Sequence, residues 1–124
     1  MARTATFTLN GVDYPLCYST RVICETEDRY EDKSAFFEAL NSKTSVRVWF
    51  LALLMQGGAA YAKQQGLESP VPLTEDEIMD MTSYEDQSAI ITALTEAISA
   101  GSRRKVEAKP TSKKANAGSP SAEK

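Results

Sequence analysis

The 124-residue sequence predicts a mainly helical α+β domain: a short N-terminal β-hairpin, about five helices, and a disordered C-terminal tail. Three observations predict it. Asn10-Gly11 separates two short β-prone runs, and both residues tolerate the positive φ that a tight hairpin turn demands. Val46, Trp49, Phe50, Leu53 and Leu54 recur at helical spacing through the middle of the chain. Composition then breaks at Gly101. From Ser102 to Lys124 there are seven Lys/Arg against two Asp/Glu, a net of +5, and almost nothing that could enter a core. The rest holds seven Lys/Arg and fifteen Asp/Glu, a net of −8, so the overall −3 hides two oppositely charged parts. Residues 1–101 are therefore expected to form a single folded domain, hairpin plus helices, and residues 102–124 a disordered basic tail.

In chain order, Thr6, Phe7 and Thr8 favour an extended first strand, and Val12–Leu16 returns beside it. Pro15 has no amide proton to donate, which makes this second strand short or an edge. Two strands alone are marginal, so the ribbon must lie on something. Ser19 or Thr20 can cap a first helix through Tyr30, with Val22, Ile23 and Thr26 inward and Glu25, Glu27 and Asp28 outward. A second helix is expected over about Ser34–Leu40, burying Phe36, Phe37 and Leu40, although adjacent Phe36 and Phe37 point different ways and one of them can remain exposed. The longest helix is expected over Ser45–Gln65, with Val48, Leu51 and Met55 filling the side opposite the stripe. A helix apolar nearly all round is surrounded by protein. Gly57, Gly58, Ala59 and Ala60 lack bulk, so another backbone can approach there. Gly66 is the expected stop, and Pro70 and Pro72 keep the following chain extended. Thr74 with Glu77 forms a capping box and Leu73 can staple onto Ile78. Ser83 with Asp86 repeats the scheme for a last helix through Ile90, Ile91, Leu94, Ala97 and Ile98, which Gly101 is expected to end.

Little here suggests an enzyme. The chain has no histidine, which removes the commonest general base and metal ligand together. Cys17 and Cys24 have neither CxxC spacing nor histidine companions, so two buried thiols are expected rather than zinc ligands or a disulfide. The acid-rich stretch Glu25–Asp32 lacks the spacing and central glycine of a calcium loop and reads as a solvated helix face. Gly57-Gly58 sits inside a helix pattern, not in a phosphate loop. The N-terminus has no apolar signal core, and the charge-free run from Val48 to Ala62 falls short of the ~20 residues a membrane helix needs. The expectation is a chain with no catalytic, cofactor-binding or metal residues and no membrane partner. Its candidate partner-binding residues are Phe36, Phe37, Trp49, Phe50 and Leu54, serving either the core or a client or self-association surface. The basic tail lacks the interleaved aromatics that stack on bases, and the acidic body repels phosphate. A small regulatory nucleic-acid-binding protein is the alternative, using that tail as its arm.

The order of these pieces resembles the tail assembly chaperones of long-tailed bacteriophages. Asn10–Leu16 (NGVDYPL) followed by Ser19–Tyr30 (STRVICETEDRY) is similar to their opening ribbon and Glu-rich helix. Ser34–Asn41, the apolar segment Val48–Gly58, and Leu73–Ile78 sit where that family has its next three helices, and a charged tail follows. The resemblance implies a non-enzymatic role in tail morphogenesis in the host cytoplasm. Such a protein coats the tape-measure protein, helps recruit tail-tube subunits, and is absent from the mature virion; whether this chain also forms a homo-oligomer is left open by the sequence. It also implies a longer frameshifted product, for which Lys113-Lys114 would mark an adenine run unless they are ordinary tail lysines.

Overall fold

The computed structural model describes residues 4–102 and has the expected architecture. Strands β1 (Thr4–Leu9) and β2 (Val12–Cys17) form an antiparallel hairpin. Helices α1 (Thr20–Arg29), α2 (Lys33–Ser42), α3 (Thr44–Gln64), α4 (Glu75–Met81) and α5 (Gln87–Ser102) follow, the last entered through a 3₁₀ turn at Tyr84–Asp86. The basic tail expected after Gly101 lies outside the described residues apart from Ser102.

The hairpin turn is as the sequence demands: Asn10 has φ 52° and Gly11 φ 80°. That turn fixes a register pairing Phe7 with Tyr14 and Thr6 with Pro15. Ala5, Phe7 and Leu9 thereby share a face with Tyr14 and Leu16, and this face is laid on the helices. On the opposite face, Thr8 Oγ1 donates to Asp13 Oδ1 across the ribbon at 2.6 Å. β1 rests against α5 and β2 against α3, which gives the two-stranded ribbon the support it needs.

Helix α3 is the axis of the molecule. It touches β2, α1, α2, α4 and α5, and its buried residues run from Val46 to Ala62, leaving one stripe through Trp49, Leu53, Gln56, Ala60 and Lys63 that is half-buried or exposed. Its N-terminal half supplies bulk, with Phe50, Leu51, Leu54 and Met55 sealed in the core. Its C-terminal half supplies closeness. A Cβ added at Gly57 would lie 2.5 Å from the Cys17 carbonyl oxygen, and one at Gly58 would overlap the Pro15 carbonyl. The small residues thus let β2 lie directly on the helix backbone. At the C-terminus, Gly66 adopts φ 73°; its amide donates to Lys63 O at 3.1 Å and that of Leu67 to Ala62 O at 2.9 Å. This pair of bonds satisfies the last carbonyls of α3.

Local caps fix the other helices. Ser19 Oγ accepts from Val22 N at the start of α1. In the box before α4, Glu77 N donates to Thr74 Oγ1 at 3.1 Å, and Thr74 N donates to Glu77 Oε1 at 2.9 Å. The helix this box starts has only seven residues and is anchored by buried Ile78, so the cap carries a large share of its stability. Thr74→Ala is expected to cost about 1 kcal/mol, read as a Tm lower by roughly 4–8 °C in a domain of this size. Ser83 N donates to Asp86 Oδ2 at 2.8 Å and opens the segment leading into α5.

Four expectations need correction. Helix α2 begins at Lys33 because Asp32 caps it, accepting from Ala35 N at 2.8 Å, so Asp32 is a cap rather than part of an acidic face. Phe37 is exposed while Phe36 is buried, because only one of two adjacent helical residues can face α3. Cys17 is buried at the end of β2, but Cys24 is exposed, two residues from inward-facing Val22 and so on the far side of α1. Gly101 does not end α5, which continues to Ser102; its missing side chain instead admits Tyr18, whose Cβ would lie 2.8 Å from a Cβ placed there.

Tyr18 is buried at the junction of β2 and α1 and meets Phe50 edge-on at 5.9 Å. Burial raises its phenol above the ordinary 10.0, and the Glu27 carboxylate adds to the effect. The folded state therefore holds this proton more tightly than the unfolded chain. The resulting stability is complete below pH 10.0 and is lost as pH rises through the folded value. Urea unfolding between about pH 9 and 11 is expected to show an alkaline loss of stability that becomes shallower in Tyr18→Phe.

Candidate functional site

The structure distributes the five candidate partner-binding residues over two environments. Phe36, Phe50 and Leu54 are sealed in the core, where Phe36 and Phe50 stack edge-to-face at 4.9 Å. Trp49 is half-buried. The Arg29 guanidinium carbon sits 4.3 Å from its ring centroid, and the Tyr30 ring approaches edge-on at 6.3 Å. That cation–π contact covers one face of the indole with a charged group. Phe37 faces outward, 36% exposed, with its ring 5.3 Å from that of Phe36.

Phe37 borders a groove of about 440 Å³ between α2 and α5. Leu40 of α2 and Ile91, Leu94 and Ile98 of α5 supply its apolar surface, and Thr95 stands among them. The helical period brings these α5 residues together, since positions three, four and seven apart share a face. Ile91, at 44%, is one of the more exposed large apolar residues of the chain.

Arg47 of α3 also lines this groove and is only 9% exposed. Its position follows from its neighbours, since it lies between buried Val46 and Val48 on the covered side of the helix. Nη1 donates to Leu40 O at 2.7 Å and to Asn41 O at 3.2 Å, and Nη2 donates to Thr44 Oγ1 at 3.0 Å. The guanidinium thus ties the last turn of α2 to the first turn of α3 and takes up carbonyls that the end of α2 leaves without intrahelical donors. Nε is buried without an acceptor.

Sequence reasoning named Phe37 but not its groove partners as a site, and it passed over Arg47. One signal was present: a lone arginine inside an all-round apolar helix has to be buried or to face a cavity. A second groove of about 450 Å³ between α1 and α2 is lined by Tyr18, Ile23 and Tyr30 together with Glu27, Glu31 and Asp32. Among the described residues no three His, Cys, Asp or Glu side chains gather as a metal site, and no helix is long and apolar enough to cross a membrane.

No family model matches the chain, and no curated protein or solved structure matches it either.

Proposed function

We propose that this protein is a non-enzymatic assembly chaperone for a long-tailed bacteriophage tail, which binds the tape-measure protein and helps recruit tail-tube subunits in the host cytoplasm. The observation that carries the reading is the open apolar groove between α2 and α5, bordered by exposed Phe37 and Ile91. A small acidic body that leaves large apolar side chains beside a groove is suited to covering an apolar segment of another polypeptide. The order of hairpin, capped helices and apolar central helix, which resembles that chaperone family, supports the choice of client. Many copies of such a binder would shield a long helical client along its length.

The test is co-expression with a candidate tape-measure protein, defined as any very long helical protein whose reading frame lies just downstream of this one. The soluble fraction of that protein is expected to rise with this chain present and to fall back when Phe37 and Ile91 are both changed to Ser. A client no more soluble with the wild-type chain than without it overturns the assignment.

A further inference from the structure

We propose that the α2–α5 groove receives an amphipathic client helix bearing one carboxylate within its apolar stripe, and that this carboxylate pairs with Arg47. The inference rests on the client-binding reading above and adds the chemistry by which a client segment is chosen.

A guanidinium presents five N–H donors. Three are used here, by Leu40 O, Asn41 O and Thr44 Oγ1. The remaining two belong to Nε and Nη2, and of these Nη2 is the donor offered to an incoming carboxylate, whose charge the buried guanidinium lacks. Nε is shut off from solvent and has no acceptor. All three acceptors are neutral, so among the described residues no carboxylate balances the charge. A cation more than nine-tenths buried is costly to hold without a counter-ion. Arg47 also lines the groove, which places this unbalanced charge beside the space a ligand would occupy.

The groove walls define the rest of the ligand. On α5, Ile91, Leu94, Thr95, Ile98 and Ser102 form one continuous face. From Ile91 to Ser102 that face is about 16 Å long, at about 1.5 Å per residue, which matches three turns of a docked helix. The helix would lie along the open side and insert its apolar residues between Phe37 and Ile98, bringing an acid to Arg47.

Other occupants fit less well. The chain's own tail is strongly basic and would set like charges against Arg47; its first acid after α5 is Glu107. A second copy would bring together two bodies that each carry −8 up to Gly101. A small apolar acid would satisfy Arg47 but would leave most of an open, helix-length face uncovered.

The test uses the full chain and three labelled 18-residue alanine-rich helical peptides. Each carries a leucine stripe and differs only at one central stripe position, which is Glu, Gln or Lys. Fluorescence anisotropy is expected to show the Glu peptide binding at least tenfold more tightly than the Gln peptide, and the Lys peptide weakest. Thr95→Glu places a carboxylate on the solvent-facing wall without touching the Arg47 hydrogen bonds. It should weaken the Glu peptide at least tenfold and spare the Lys peptide, with circular dichroism and Tm confirming the fold. Equal binding of all three peptides, or a Thr95→Glu protein that binds the Glu peptide like wild type, overturns the proposal. So does dodecanoate binding where no peptide binds, which would make the groove a small-acid site. A tenfold gain for the Glu peptide in Glu107→Gln would identify the tail as the resident ligand and would also overturn it. If Thr95→Glu abolishes peptide binding yet still solubilises the tape-measure candidate, the groove inference fails and the chaperone reading stands. If the wild-type chain binds the Glu peptide as expected but solubilises no tape-measure candidate, the chaperone assignment fails and the groove chemistry stands.

Discussion

Gly58→Ala is expected to destabilise the domain by about 3–5 kcal/mol, toward the upper end for a single substitution. In most helices that change is favourable, because alanine has the higher helix propensity by about 1 kcal/mol. Here the sign reverses. A Cβ at position 58 would overlap the carbonyl carbon and oxygen of Pro15 and stand 3.0 Å from Leu16 N. Those are backbone atoms of a paired strand and cannot move as a flexible side-chain tip can. To admit the methyl group, β2 must lift off α3, which opens the contact sealing Leu16 in the core. Gly57→Ala meets one backbone atom, Cys17 O at 2.5 Å, and is expected to cost less. Gly66→Ala meets nothing within 4 Å but requires φ 73°, so its cost is the smaller strain of a left-handed residue. Urea unfolding of the three variants should rank them 58, 57, 66 from most to least damaging. Total stability for a domain of this kind is about 5–15 kcal/mol, so Gly58→Ala should leave a protein with little margin, and Gly58→Val should not fold.

The close approach at Gly57 and Gly58 was legible in the sequence because small residues inside a strongly apolar helix have few other uses. The Asn10-Gly11 turn and the box of Thr74 and Glu77 were legible for a related reason: both are local, and the chemistry of four or five consecutive residues decides them. Contacts between distant elements were less legible. Which of Phe36 and Phe37 faces α3 depends on how α2 is rotated, and that rotation is set by Asp32 as cap and by Arg47 bonding to the end of α2. Asp32 was masked by its acidic neighbours, whose charge pattern suggested a solvated face. The groove joins α2 to α5, elements some fifty residues apart in sequence, by a packing no local pattern encodes. Gly101 shows the limit from the other side. Its position after an apolar run suggested a helix stop, while its role depends on Tyr18, more than eighty residues earlier.

Phe50→Ala and Phe37→Ala should separate stability from binding. Phe50 is wholly buried in the N-terminal half of α3, edge-on to both Phe36 at 4.9 Å and Tyr18 at 5.9 Å. Truncating such a ring removes its transfer free energy and leaves a cavity that the surrounding helices cannot fully close, a loss of about 3–5 kcal/mol. A Tm lower by about 12 °C or more is the expected reading, at roughly 4–8 °C per kcal/mol. Phe37 differs. About a third of it is already in water, and its contact with Phe36 does not seal the core, so its truncation should cost about 1–2 kcal/mol, well below that of Phe50. Its effect should appear in binding, where loss of an exposed aromatic at a groove edge removes the kind of residue that dominates interface energies. Thermal melts and peptide anisotropy on the same two proteins should therefore give opposite rankings. If Phe37→Ala melts early and binds normally, the residue belongs to the core after all. If both variants lose binding only in proportion to lost stability, the groove has no function of its own.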